Sequence, residues 1–189
     1  SGKSTLISLI PRFYDVTEGS ILLDGTDIRD IKLAALRDKI GYVSQKGVLF
    51  SGTIASNLKL GCDDASDEEL TAAAKTAQAF DFISEKPEGM LQTVSQGGTN
   101  ISGGQKQRLS IARALIKQPQ IYIFDESFSA LDFKTDRALR KALKNHTGNS
   151  TMQRINTIMR ADRIIVLNEE RIAGTGTHAQ LMENCGIYK

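Results

Sequence analysis

The sequence predicts an α/β fold with a mostly parallel sheet, because short apolar runs alternate with helical segments along the chain. The run at 121–124 is continuous, as expected for a strand that is buried on both faces of a sheet, and another buried strand is expected at 163–167. A further short strand is expected at 40–43. The segment at about 53–91 has helical spacing instead, so we expect it to interrupt the sheet as an insertion.

Four helices are predicted from the spacing of their apolar residues, at 6–10, 67–82, 105–117 and 132–143. The first should end near Pro11, because proline cannot prolong a regular helix. Ser66 is a suitable N-cap for the second. Two tight turns are also expected, at the Asp-Gly pair 24–25 and at the Glu-Glu pair 169–170, each directly after a strand.

Composition excludes several classes of protein. The chain has 189 residues, 40% hydrophobic and 24% charged, as in a single globular domain. Its net charge is +2 with both signs interspersed, so no basic face for nucleic acid is expected. Cys62 and Cys185 are isolated, which disfavours a disulfide or zinc framework and favours a reducing compartment. No apolar run approaches the roughly 20 residues of a membrane-spanning helix.

The first five residues, Ser1-Gly2-Lys3-Ser4-Thr5, match the end of the phosphate-binding loop G-x-x-x-x-G-K-[ST]. In such a loop, backbone N–H groups and a helix N-terminus hold phosphates, the lysine adds positive charge and a hydroxyl ligates Mg²⁺. Taken alone, five residues fit an ordinary polar loop equally well.

Two acids follow the predicted strand at 121–124. A carboxylate at this place, Asp125, can hold the Mg²⁺ that bridges nucleotide phosphates. The next residue, Glu126, is placed to deprotonate an attacking water. A solvated acidic turn explains the same pair, and the pair alone does not separate the two interpretations.

A second anion site is predicted where Ser102-Gly103-Gly104 precede a long helix, because free N–H groups and the positive end of the helix dipole meet there. A flexible glycine linker fits poorly beside so regular a helix. The chain therefore has two phosphate-binding helix ends roughly a hundred residues apart. Either one site uses both ends, or two chains meet over each nucleotide.

Residues 101–115 (ISGGQKQRLSIARAL) closely resemble the LSGGQ signature of ATP-binding cassette (ABC) proteins and its continuation. Gln45 matches the glutamine of that family's Q-loop, 129–132 (SALD) its D-loop, and 175–178 ends in its G-T-H stretch. The tracts around Gln45 and Asp125 resemble exporters of the multidrug or lipid type. The motifs occur in the family's order over nearly the whole chain.

The resemblance implies the nucleotide-binding domain of an exporter, with a P-loop NTPase-type sheet. It implies an ATPase core at 1–52 and 105–189, and a helical subdomain with the signature at about 53–104. Two such domains, in a homodimer or a heterodimer, would enclose two ATP molecules. A transmembrane domain of the same full-length chain would hold this soluble domain at the cytoplasmic face of the cell membrane.

The resemblance also assigns roles to residues. Glu126 would be the catalytic base, and Gln45 and Gln153 would assist it. Ser4, Gln45 and Asp125 would hold Mg²⁺. In its own domain, ATP would contact Ser1, Gly2, Lys3, Ser4, Thr5 and Gln45. From the partner domain, it would contact Ser102, Gly103, Gly104 and Gln105.

The chain departs from the family's pattern in several places. It starts inside the phosphate loop, so we expect a truncated domain without its first strands. We expect this domain to bind ATP weakly, because each lost N–H contact to a phosphate is worth about 1.5–3 kcal/mol. No apolar run precedes Gln153, so we expect a strand to be missing there through a deletion of about four residues, more in keeping with a damaged sequence than with a natural variant.

Gln153 stands where the family has its switch histidine, and glutamine cannot carry a proton at neutral pH. With the SQGG tract at 95–98, it resembles one half of a heterodimeric bacterial exporter, whereas Glu126 argues for full activity. Two alternatives to an exporter ATPase therefore stay open. They are an ATP-dependent dimerisation half-site with little hydrolysis, and a non-transport ABC ATPase acting on DNA or ribosomes.

Overall fold

The chain divides into two compact units, one made of Ser1–Arg37 with Met152–Lys189 and the other of Asp38–Thr151. The computed structural model describes residues 2–146, 150–152 and 161–189. The division into an ATPase core and a helical subdomain at about 53–104 stays a prediction. Across the described residues, no helix combines the length and the hydropathy that a membrane crossing requires.

The N-terminal part of the first unit contains two helices and one hairpin. Helix α1 (Lys3–Leu9) ends two residues before Pro11, as predicted. Strands β1 (Leu22–Leu23) and β2 (Thr26–Asp27) pair antiparallel across the expected Asp-Gly turn, where Gly25 has a φ of 81°. Helix α2 (Leu33–Asp38) follows.

The second unit is built on a three-stranded sheet with the order β3-β6-β7. Strands β3 (Ile40–Val43) and β6 (Ile121–Phe124) are parallel, and both were predicted from their apolar residues. Their register pairs Ile40 with Ile121 and Val43 with Phe124. Phe124 and Val43 are each 1% exposed, so the carboxyl ends of these strands are anchored in the core.

The expectation that a strand is missing before Gln153 is wrong. Residues Ser150–Met152 form strand β7, which lies beside β6 at the edge of the three-stranded sheet. A strand is held by backbone hydrogen bonds, and three residues of any non-proline type can make them without a continuous apolar run. Gln153 itself lies outside the described residues.

The segment between β3 and β6 is largely helical, as predicted. It contains β4 (Gly52–Thr53), α3 (Ile54–Lys59), α4 (Asp67–Thr76), α5 (Phe80–Ser84), β5 (Thr93–Val94) and two short 3₁₀ turns (Gly89–Leu91 and Gln96–Gly98). The predicted helix at 67–82 is two helices, because Gln78 adopts a left-handed φ of 57° and ends the first. Ser66 caps α4 as expected, through a capping box with Glu69.

Two 14-residue helices, α6 (Gly103–Ile116) and α7 (Phe133–His146), complete the second unit. Helix α6 packs on α3, α4 and β3. Its inner face is apolar except for Gln107, which is 1% exposed among Leu109, Ile111 and their neighbours. The helix thus connects the helical segment to the sheet.

The C-terminal part of the first unit is a hairpin and a helix. Strands β8 (Ile164–Asn168) and β9 (Arg171–Gly176) pair antiparallel across the predicted turn at 169–170. Strand β8 was expected to be buried on both faces, which is wrong: Ile164 is 5% exposed but Ile165 is 51% exposed. Helix α8 (His178–Asn184) begins at the G-T-H stretch, where Thr177 accepts a hydrogen bond from the backbone of Gln180. The residues 175–178 therefore cap a helix.

Asn57 is a buried amide that joins three segments of the second unit. It is 1% exposed, accepts a hydrogen bond from Phe50 N at 2.8 Å, and donates to the carbonyls of Phe50 (2.8 Å) and Thr53 (3.0 Å). Arg113 of α6 donates to the side-chain and backbone oxygens of Asn57, at 3.2 and 2.9 Å. This single side chain fixes the loop before β4 and attaches α3 to α6.

We predict that Asn57→Ala lowers the free energy of unfolding by about 2–4 kcal/mol, because it leaves several buried polar groups without partners. Urea or thermal unfolding measures the change. Lys141→Ala, at an exposed position of α7, serves as the control and should change stability by less than about 0.5 kcal/mol. Equal effects of the two substitutions would contradict this account of Asn57.

Candidate functional site

Gln45 and Glu126 meet at the carboxyl edge of the sheet. The parallel register pairs Val43 with Phe124, so the residues two positions further along each chain segment leave the sheet side by side. Gln45 Nε2 donates a hydrogen bond to Glu126 Oε2 at 3.0 Å. Two of the three predicted catalytic residues are therefore in direct contact.

Asp125, the residue before Glu126, is 5% exposed. Its backbone N–H donates to the Val43 carbonyl at 2.9 Å, which continues the ladder between β3 and β6. The Tyr42 hydroxyl donates to Asp125 Oδ2 at 3.2 Å. The pKa of Tyr42 is raised to about 12, first by burial and second by the negative charge of Asp125. This hydroxyl therefore keeps its proton at physiological pH.

Glu126 has a left-handed backbone, with a φ of 46°. This conformation is uncommon for a residue with a side chain and is frequent at functional sites. The next residue, Ser127, is fully buried, and its hydroxyl donates to the Val43 carbonyl at 2.7 Å. Ser129 N donates to the Glu126 carbonyl at 3.1 Å. The turn around Glu126 is thus held from both sides.

The donor set at this edge suits a hard cation. Asp125 supplies a carboxylate, and Gln45 keeps a carboxamide oxygen while its nitrogen contacts Glu126. Mg²⁺ is commonly bound through one or two carboxylates together with phosphate oxygens and water. The described residues contain no group of three or more His, Cys, Asp or Glu side chains that could hold a metal without such additional ligands.

The signature residues form the N-terminus of α6. Ser102 is the N-cap: its hydroxyl accepts from Gln105 N at 3.3 Å, and Gln105 Oε1 accepts from Ser102 N at 3.2 Å. Ser102 and Gly103 are exposed. A side chain at Gly104 would place its Cβ 3.0 Å from the carbonyl oxygen of Ala130. Glycine thus allows the helix end to pack against the predicted D-loop.

The predicted phosphate-loop residues belong to the other compact unit. Gly2 has a φ of 66° and precedes α1, and Lys3, Ser4 and Thr5 form the exposed first turn of that helix. Two predicted site residues, Ser1 and Gln153, lie outside the described residues.

Sequence reasoning missed three side chains that support the site: Tyr42, Ser127 and Gln107. The first two contact Asp125 and the Val43 carbonyl, as described above. Gln107 Nε2 donates to the carbonyl of Ser44 at 3.1 Å. A signal was present for Gln107, because an amide on the apolar face of a helix requires a buried partner. The identity of that partner depends on the fold.

Comparisons with known proteins agree with the motifs. A sequence profile of the ABC transporter family matches residues 1–129. Multidrug export ATP-binding/permease proteins of Staphylococcus aureus, from strains NCTC 8325 / PS 47 and COL, are each 47% identical to the chain over 192 residues. Each alignment covers 100% of this chain and 33% of the relative.

The structure is similar to that of a bacterial Atm1-family ABC exporter with ATP bound. The TM-score is 0.93 and the sequence identity 42%, over 99% of this chain and 33% of the exporter chain. The chain thus spans about a third of the length of the relatives it matches. The profile match, the curated relatives and the structural match lead to one assignment: the chain belongs to the ABC transporter family and has its ATPase fold.

Proposed function

We propose that this chain binds and hydrolyses ATP as part of an ABC exporter. The contact between Gln45 and Glu126, directly beside the buried Asp125, is the observation that carries the proposal. It brings an acid suitable as a general base within reach of a side chain that can orient water, next to a carboxylate suited to Mg²⁺.

In the proposed reaction, water attacks the γ-phosphorus of ATP while the bond to the β–γ bridging oxygen breaks and ADP leaves. Glu126 accepts the proton of the attacking water, and Gln45 orients that water. Asp125 would hold Mg²⁺, with Ser4 and Gln45 as the other protein ligands. When bound, Mg²⁺ would neutralise charge on the β- and γ-phosphates.

The two helix N-termini would serve two different nucleotides. Gly2, Lys3, Ser4 and Thr5 are proposed to bind the phosphates of the domain's own ATP. The exposed N-terminus of α6, with Ser102 as its cap, is proposed to meet the γ-phosphate of the ATP held by a second ABC domain. Gly103, Gly104 and Gln105 complete that surface, in a homodimer or a heterodimer.

The membrane part of the proposal is supported by the relatives. Their names describe ATP-binding/permease proteins, and this chain covers 33% of their length. We therefore propose that a transmembrane domain of the same full-length protein joins this domain at the cytoplasmic face of the membrane. Closure of two domains over ATP would drive export, and hydrolysis would allow them to separate.

A second function, an ATP-dependent dimerisation half-site with little hydrolysis, is favoured by one sequence observation. Glutamine at position 153, where the family has histidine, removes a group that can carry a proton near neutral pH. The presence of Glu126 in contact with Gln45 favours hydrolysis instead.

We predict that Glu126→Gln in the full-length transporter lowers ATP turnover by about 10²-fold or more, because an amide cannot accept the proton of the attacking water. Affinity for ATP should change by less than about threefold. Phosphate release and nucleotide binding, measured on the same preparation, give the two quantities.

Glu68→Gln makes the same chemical change at an exposed position of α4 and should leave turnover unaltered. If Glu126→Gln turns over ATP like the unmodified transporter, Glu126 is not the base. A slow unmodified transporter that Glu126→Gln does not slow further would support the dimerisation half-site.

We predict that Ser102→Ala lowers turnover by about 10–100-fold, because it removes a hydrogen bond to a charged phosphate worth about 1.5–3 kcal/mol. Ser66→Ala is a matched control, since Ser66 caps α4 with the same reciprocal box and lies outside the proposed site. Both substitutions should cost about 1 kcal/mol of stability. Equal turnover of the two variants would remove Ser102 from the site.

A further inference from the structure

We propose that Gln107 is a positioning residue for Gln45, and that it thereby ties the signature helix α6 to the catalytic base of the same domain. The inference rests on the proposed roles of Gln45 and Glu126. In this scheme Gln107 contacts neither nucleotide nor water, and it acts through the backbone of the segment at 44–47.

The amide of Gln107 holds the residue directly before Gln45. Gln107 is 1% exposed, and its Nε2 donates to the carbonyl oxygen of Ser44 at 3.1 Å. A buried amide that loses its partner is costly, so this bond resists separation of α6 from the segment. Gln107 lies about one helical turn after Gly103, where α6 begins.

A second contact holds the other side of Gln45 against the same turn of α6. A Cβ atom at Gly47 would lie 2.7 Å from both the carbonyl carbon and the carbonyl oxygen of Lys106, and 2.9 Å from Gln107 N. The backbone of Gly47 therefore packs directly on the backbone of the helix. Ser44 and Gly47 bracket Gln45, and both contact α6 at residues 106–107.

The bracketed residue contacts the base. Gln45 is exposed, yet its Nε2 reaches Glu126 Oε2 at 3.0 Å. Ser127, the residue after Glu126, reaches the same strand end with its hydroxyl, 2.7 Å from the Val43 carbonyl oxygen. A continuous path of contacts thus runs from Gln107 through Ser44 and Gln45 to Glu126.

This path gives α6 two roles. Its N-terminus is proposed to meet the nucleotide of the partner domain, and its next turn sets the position of the glutamine that serves its own nucleotide. A shift of α6 on closing over the partner's ATP would therefore move Gln45 relative to Glu126. The two ATP sites of a dimer would be coupled through each domain's own signature helix.

A double-mutant cycle on the full-length transporter tests the inference. Gln107→Met removes the donor and keeps the length of the side chain. We expect it to lower kcat by about tenfold, as for loss of roughly 1.4 kcal/mol, and to change KM for ATP by less than about twofold. In a Gln45→Ala background, Gln107→Met should lower kcat by less than about twofold.

The second test variant is Gly47→Ala, which displaces the same segment from α6. Gly47 lies in a half-buried loop, so this variant should keep the core intact. It therefore tests the inference even if Gln107→Met does not fold. It should also lower kcat, again with little effect once Gln45 is alanine. Gln120→Met, the same change at an exposed position, should have no effect. Additive losses in the Gln45→Ala background, or unchanged kcat in both test variants, would overturn the inference.

A structure of nucleotide-free Gln107→Met gives a readout that does not depend on turnover. We expect Gln45 Nε2 to move beyond hydrogen-bonding distance of Glu126 Oε2, and an unchanged contact would count against the proposal. Glu126→Gln distinguishes a failure of the proposed function from a failure of the positioning role of Gln107. If it leaves turnover intact, the proposed function fails; if it stops turnover while Gln107→Met does not slow it, the positioning role alone fails.

Discussion

The parallel pairing of β3 with β6 is the constraint on which the candidate site depends. Because Val43 lies opposite Phe124, every residue just beyond the two strands has its position set by backbone register. Gln45 and Glu126 meet for this reason, and Asp125, the residue before Glu126, is buried. Helix α6 packs on β3, so the signature residues take their place from the same pair of strands.

The sequence predicted the elements whose stability comes from apolar side chains. The strands at 40–43 and 121–124 were predicted at the correct residues, and the second is a continuous apolar run that is visible without knowledge of the fold. The motifs also predicted Gln45 and the acids that follow β6, although their contact required the register. Two errors have a common cause. The break at Gln78 and the strand Ser150–Met152 depend on backbone conformation and pairing, which side-chain hydrophobicity does not report.

The supporting residues could not be predicted, because their partners are distant in sequence. Tyr42 reaches Asp125 across 83 positions, Ser127 reaches the Val43 carbonyl across 84, and Gln107 reaches Ser44 across 63. A single sequence shows that a buried polar side chain needs a partner but does not name it. Asn57 is a further case, since a motif search has no reason to select it.

The capping box at Ser102 has a consequence for which amino acids the position tolerates. Its hydroxyl oxygen accepts from Gln105 N, which leaves the hydroxyl proton available to donate outward to an anion. Aspartate and asparagine cap helices equally well, yet a carboxylate would repel a phosphate, and in asparagine the capping atom and the donor would be two different atoms, because its oxygen caps and only its amide nitrogen donates. With the proposed phosphate contact, the choice of amino acid at this helix end would be narrower than helix stability alone requires, and a hydroxyl amino acid would meet both demands.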